Sequence, residues 1–283
     1  MSEHMALENL TVLDLTRVLA GPFCTMMLAD MGANVIKIEV PKGGDDTRSY
    51  PPFRAKNLNG ERESVYFANI NRNKKGITLN LKAPEGKEIF KELVKKADIV
   101  VENYRPGVMD KLGLGYDVLK EINPRIIYAA VSGFGCYGPY HLRPGYDILA
   151  QAMGGMMSIT GSKGGEPTRA GSALGDILGG LHVTIGILAA VNARTITGKG
   201  QRVDVSLMDS MIAATENTAL KYIETGNIPA PWATVMPLFP PTTASPARAA
   251  RSSLLPETRS CTRSSAMRCW NVRTMTHRSP VRG

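Results

Sequence analysis

The 283-residue chain predicts an α/β protein built on a parallel, Rossmann-like sheet, and three observations predict it. Residues 10–15 and 34–39 are apolar runs of strand length, and Gly21-Pro22 opens a helical stretch between them. A strand–helix–strand unit of this kind closes only as a parallel pair. Residues 98–103 form a third apolar run that ends in Glu102 and Asn103, polar groups where α/β sheets place ligands. The composition, 43% hydrophobic and 21% charged, is that of an ordinary globular protein with ample material for a core.

The elements follow in order. The first helix runs to about Gly32. The charged, Gly- and Pro-containing stretch from 41 to about 62 reads as a loop over the site, and residues 77–81 read as a strand. Ala83-Pro84-Glu85-Gly86 starts an amphipathic helix that ends near Lys96. Short helices at 108–112 and 116–122 precede a strand at 125–132. The most apolar segment, 177–190, falls short of the ~20 residues of a membrane span and reads as a helix buried inside the protein. His182 within it reads as a satisfied core residue. A strand at 201–206 and a helix to about Glu224 complete the regular part.

Several function classes are excluded or disfavoured. The net charge of +9 resembles a nucleic-acid signal until it is located. Residues 231–283 hold eight Arg, no Lys and one acid, Glu257, whereas residues 1–230 hold 26 basic and 24 acidic residues. The body is therefore nearly neutral, and neither nucleic acid nor a membrane is expected as a partner. There is no GxGxxG fingerprint and no GxxxxGK[ST] loop, so a dinucleotide or nucleoside triphosphate is not expected. Cys24, Cys136, Cys261 and Cys269 show no metal-ligand spacing, and no metal is expected. With no apolar signal-peptide core at the start, reduced thiols in a cytoplasmic protein are the expectation.

Asp176 is the best single pointer to chemistry. It stands in Gly171-Ser172-Ala173-Leu174-Gly175-Asp176-Ile177-Leu178-Gly179-Gly180, where a loop gives way to the long apolar helix. Glycines let a large substrate approach across bare backbone. A helix start supplies unpaired N–H groups and a positive dipole end, which favour an ionised, nucleophilic acid. The segment by itself also fits an N-cap Asp that only satisfies those N–H groups.

An ordered set of segments decides between these. They are Val12-Leu13-Asp14-Leu15-Thr16, Ala20-Gly21-Pro22, Gly32-Ala33-Asn34-Val35-Ile36-Lys37-Ile38-Glu39, Asn73-Lys74-Lys75, Ala97-Asp98-Ile99-Val100-Val101-Glu102-Asn103-Tyr104, Asn123-Pro124-Arg125, Gly145-Tyr146-Asp147, Thr197-Gly198-Lys199-Gly200-Gln201 and the Asp176 segment. Over about residues 6–229 the chain resembles the class III CoA-transferases, the family of formyl-CoA transferase and crotonobetainyl-CoA:carnitine CoA-transferase. The resemblance implies that Asp176 is the nucleophile that carries acyl and CoA groups in turn. Coenzyme A enters as acyl-CoA substrate, beside a carboxylic acid acceptor, with no permanently bound cofactor. The resemblance implies that Leu19 and Ala20 line the pantetheine arm. Leu79, Asn80, Leu81, Lys82, Asn103, Tyr104, Arg105 and Lys111 would hold the nucleotide end, and Arg143, Tyr146 and Asp147 would lie nearer the thioester. Lys82, Arg105 and Lys111 suit phosphate chemically and also fit solvated surface charge.

There are departures from the pattern. Arg17 and Leu19 stand where formyl-CoA transferase has His and Gln, which argues against a formyl/oxalate pair, and Val40 replaces an Arg that reaches CoA there. The related α-methylacyl-CoA racemases carry a His where this chain has Tyr146. A Tyr with an unperturbed pKa near ~10 is a poor proton shuttle, which favours transfer over racemisation.

Residues 230–283 change character: Ser, Thr, Pro and Arg dominate and no period survives. Codon degeneracy allows Gly-Asn-Arg-Tyr, Pro-Tyr-Asp-Ser-Phe and Ala-Ala-Gly-Asn-Gln-Lys-Leu-Tyr to be reread there, all in one shifted frame and in the family's order. A change of frame near 229–231 is the expectation, with residues 1–229 as the N-terminal part of the large domain, the tail disordered and the small domain missing. A basic tail for nucleic acid or acidic lipid is the alternative. The family's full-length form is an interlocked homodimer.

Overall fold

The computed structural model describes residues 4–54 and 62–231. Alternation along the strands sets up two cores. In β1 (Thr11–Asp14) Val12 faces one side and Leu13 the other, and β6 (Ile99–Glu102) and β7 (Ile127–Ser132) divide their side chains the same way. One core receives Ala20, Cys24 and Leu28 of α1 (Ala20–Asp30) together with Val183, Ile187 and Ala190 of α8 (Leu174–Thr197). The other receives Phe90 and Val94 of α3 (Pro84–Val94), Met109 of α4 (Val108–Lys111) and Leu119 of α5 (Tyr116–Ile122). Helices thus cover both faces, as a buried parallel sheet requires.

With β2 (Asn34–Glu39), β5 (Lys75–Thr78) and β8 (Arg202–Ser206), the sheet has the order β5-β2-β1-β6-β7-β8, every pair parallel. Counted within this sheet the order is 3-2-1-4-5-6, the Rossmann order expected from sequence. The direction of winding reverses between β1 and β6, where loops diverge and leave a crevice at the carboxyl ends of the strands. A two-stranded antiparallel hairpin, β3 (Phe53–Arg54) with β4 (Glu63–Ser64), and a 3-10 turn at Asp46–Ser49 occupy the expected loop.

Several expectations need correction. The strand placed at 77–81 is β5, two residues earlier, because Asn80 turns the chain: its Oδ1 accepts from Lys82 N and its carbonyl from Ala83 N. The single helix placed up to Glu224 is two, α9 (Leu207–Ala214) and α10 (Asn217–Thr225), broken at Glu216 with φ +56°. Short helices α2 (Val65–Ile70), α6 (Asp147–Met153) and α7 (Met156–Ile159) carry too few residues to show a helical period in sequence.

The apolar helix is the largest correction. α8 is 24 residues, long and apolar enough to cross a membrane by length and composition, because the helix runs on through Asn192 and Arg194 to a left-handed Gly198 cap. It is not buried all round. Gly179, Gly180, Val183 and Ile187 face the core, while His182 is exposed and Ile185 and Ile196 are 62% and 81% exposed. Glycines on the buried face allow close approach: a Cβ at Gly180 would lie 2.7 Å from the Ala20 carbonyl oxygen of α1. The expected disorder of 230–283 concerns residues that, from 232 on, lie outside the described residues.

Candidate active site

The crevice between β1 and β6 holds a cavity of about 430 Å³, within the range of small-molecule sites. Its walls are the segments that follow each strand. Arg17, Val18, Leu19 and Ala20 come after β1, Asp46 after β2, Asn103, Tyr104 and Arg105 after β6, Arg143 and Tyr146 after β7, and Leu207 after β8. Asp176 on the first turn of α8 closes it.

The walls are held by specific bonds. Asn103 clamps the two central loops: its Oδ1 accepts from Arg17 N at 2.8 Å and its Nδ2 donates to Arg17 O at 2.7 Å. Between them Val18 adopts φ +67°, a conformation that a β-branched residue takes only when its surroundings impose it, and its N–H donates to Asp45 Oδ1 at 3.2 Å. Glu102 accepts from Tyr104 N at 2.7 Å and from Tyr128 Oη at 3.2 Å, which pins the loop after β6. Burial pushes Glu102 up to about 7, those two bonds acting in the opposite direction. Arg17 pairs with Asp46 at the rim, and the Arg143 guanidinium lies 4.2 Å from the Tyr140 ring centre.

Asp176 is the third residue of α8, and among the described residues no group hydrogen-bonds its carboxylate. It is not an N-cap. The N-cap residue is Ala173, and the first-turn amide of Gly175 donates instead to Oδ1 of Asp147, the first residue of α6, at 2.8 Å. Burial, and then the nearby Asp147 charge, push Asp176 up to about 6, with Arg169 pulling the other way. The expectation that the helix start would favour ionisation is thus outweighed by desolvation, because the amide facing the turn is already spent on Asp147. At pH 7 an acid of pKa near 6 is still roughly 90% ionised.

Of the sequence-predicted residues, the cavity gathers Leu19, Ala20, Asn103, Tyr104, Arg105, Arg143 and Tyr146 around Asp176. It does not gather the rest. Asp147 is buried, its two oxygens taken by Gln151, Arg169 and the Gly175 amide. Leu79 and Leu81 pack into the second core, and Asn80 and Lys82 are exposed beyond β5, two strands away from the crevice. Lys111 is exposed at the end of α4, one turn past Val108, which does line the cavity. Sequence reasoning missed Asp46, Ser132 and Tyr66. Ser132 lines the cavity and its buried hydroxyl has no hydrogen-bond partner. Tyr66 lies close enough to Asp176 that burial, and then the Asp176 charge, raise its pKa. Only the spacing of three-dimensional neighbours marks it.

The comparisons with known proteins fit this geometry. The profile described as CoA-transferase family III matches residues 7–248, past the point near 229–231 where the sequence changes character. The chain belongs to CoA-transferase family III. The succinyl-CoA:mesaconate CoA-transferase of Haloarcula marismortui is 47% identical over 230 residues, covering 79% of this chain and 57% of that protein. The acetyl-CoA:oxalate CoA-transferase of Acetobacter aceti is 48% identical over 224 residues, covering 79% of this chain and 56% of that protein. The crystal structure of a CAIB/BAIF family protein from Brucella suis, 43% identical, superposes with a TM-score of 0.79 over 83% of this chain and 62% of that one. The chain therefore spans little more than half the length of the curated relatives it matches. For a CoA-transferase family III chain, the cavity at the β1/β6 crevice, with one unbonded acid and three arginines on its walls, is the place to seek CoA chemistry.

Proposed function

We propose that this chain carries the nucleophile-bearing part of a cytoplasmic CoA-transferase that moves CoA from an acyl-CoA to a carboxylic acid. The observation that carries the reading is Asp176, an unbonded carboxylate open to a cavity lined by Arg17, Arg105 and Arg143. In the proposed sequence, the Asp176 carboxylate attacks the thioester carbonyl, and CoA thiolate leaves the tetrahedral adduct to give an acyl–aspartyl anhydride. The thiolate then attacks the aspartyl carbonyl, expelling the product acid and leaving an aspartyl-CoA thioester. The acceptor carboxylate displaces CoA thiolate to form a second anhydride, and the thiolate's attack on its acceptor carbonyl releases the new acyl-CoA and regenerates Asp176. Each tetrahedral intermediate needs donors beside the developing oxyanion. By their names the two relatives take CoA from succinyl-CoA or acetyl-CoA and give it to mesaconate or oxalate, both dicarboxylic acids, and arginines on the cavity wall suit such an acceptor.

A second reading is a CoA-binding unit without turnover, favoured by the coverage of little more than half of each relative. The full-length partner expected for an active enzyme is an interlocked second copy. Incubation of the chain with succinyl-CoA and hydroxylamine separates the readings. Conversion of Asp176 to its hydroxamate, absent in Asp176→Ala, supports transfer chemistry. CoA binding by calorimetry with no modification supports the second reading, and activity that survives Asp176→Ala would sink the first.

A further inference from the structure

We propose that Arg169 is a positioning residue for Asp176: through Asp147 it sets the orientation and charge of the carboxylate presented to the cavity. The inference rests on the reading of Asp176 as nucleophile. Arg169 lies in the loop before α8 and is 39% exposed, outside the cavity lining, so it is not placed to touch substrate there. Its Nε and Nη2 both donate to Asp147 Oδ2, at 3.1 and 2.8 Å. The other oxygen, Oδ1, accepts from Gly175 N, the residue directly before Asp176. Gln151 ties the arrangement together, donating to both Asp147 oxygens and accepting from Ala170 N at 2.9 Å. A guanidinium, a carboxylate and one amide thus fix the first turn of α8.

The charges form a row. Asp147 and Asp176 are like charges in a partly buried setting, and among the described residues Arg169 is the one cation bonded to the pair. Two neighbouring carboxylates without a counter-charge share a proton, so the nucleophile would be neutral for much of the time near pH 7. Asp147 from α6 and Arg169 from the loop act on the charge of Asp176, and that charge in turn acts on Tyr66 of α2. The other elements packed on α8, namely α1, α9, β7 and β8, bring no charged side chain that shifts it.

The test uses the full 283-residue chain with carbon-13 in its aspartate carboxyls, Asp176→Asn serving to assign the resonance. In Arg169→Gln the Asp176 titration midpoint should rise by about one pH unit, and Arg169→Lys should return it most of the way. Hydroxamate trapping should then fall about fivefold at pH 6 and change little at pH 8.5. An unchanged midpoint, a Lys variant that behaves as Gln, or trapping lost equally at every pH would overturn the proposal. If Arg169→Gln does not fold, Asp147→Asn decides. Its midpoint for Asp176 must fall, and an unmoved midpoint overturns the idea. If the wild-type chain traps no hydroxamate, the transfer reading fails, while the carbon-13 midpoint still decides the role of Arg169.

Discussion

Two aspartates in this molecule, one buried and one half-buried, meet opposite fates. Asp14, at the end of β1, is fully enclosed; Asp176, at the start of α8, faces the cavity. Asp14 accepts from Thr16 N at 2.9 Å, from the Thr16 hydroxyl, from Thr25 Oγ1 at 2.7 Å and from Lys74 Nζ at 3.0 Å. Burial pushes Asp14 up, but Lys74, Lys37 and the two threonines outweigh it and hold it at about 2. Lys37 is itself enclosed, 2% exposed, and bonded to Thr16 O and Asp45. Asp176 has no donor among the described residues and shares one arginine at second hand, and it is pushed to about 6. Donors and cations, more than depth, separate a structural acid from a reactive one. Asp14 is spent on holding the loop whose far end, Arg17 to Ala20, walls the cavity, so the two acids serve one site in different ways.

The strongest way to break this contrast is to remove a cation from the structural cluster. Lys74→Met should cost about 3–5 kcal/mol in urea unfolding, because a buried carboxylate is left without its ion partner. If stability changes by less than about 1 kcal/mol, Asp14 is not held as described. Asp176→Asn should do the reverse: at pH 4 its stability should lie within about 1 kcal/mol of wild type, since no hydrogen bond among the described residues is lost, with acyl-CoA-dependent hydroxamate formation at neutral pH reduced at least ~100-fold.

Acid and base dependence sharpen the comparison further. Because the folded-state pKa of Asp14 is depressed, its stabilisation is present above about pH 4 and is lost as pH falls towards 2. Asp176 is raised, so its contribution is present below about pH 4 and is lost as pH rises through 6, about 3 kcal/mol for a rise of roughly two pH units. Unfolding free energies of wild type and Asp176→Asn between pH 4 and 7 should therefore differ in slope. Parallel curves would contradict the raised acid. The smallest effect is expected of Tyr66→Phe, which removes a hydroxyl that feels the Asp176 charge and should slow trapping by about 2–10-fold with little change in stability. No change at all would place Tyr66 outside the chemistry.

Much of this was legible in the chain itself. Alternating apolar runs at β1, β2, β6 and β7 specify a sheet buried on both faces, and helical crossovers leave a parallel arrangement with its crevice at the carboxyl ends. The glycines around Asp176 and the ordered family segments single out the acid. Seven of its expected companions do line its cavity, because residues just past strand ends converge wherever a parallel sheet reverses its winding.

Other features depend on contacts between segments far apart in sequence, where no local period carries a signal. Asp147 follows Tyr146 in the chain and was expected beside the thioester, yet it turns inward because Gly175, 28 residues later, presents an unpaired amide to it. His182 and Ile185 lie on an apolar run, yet they face outward, since the glycine-lined side of α8 alone fits against α1 and the sheet. The sequence by itself determined the sheet, its helical cover and the identity of the acid, because these follow from hydrophobic period and from residue type. Only the tertiary structure decided the state of that acid: a carboxylate's pKa depends on which donors, charges and apolar walls surround it, and these come from α6, α2 and the loop before α8.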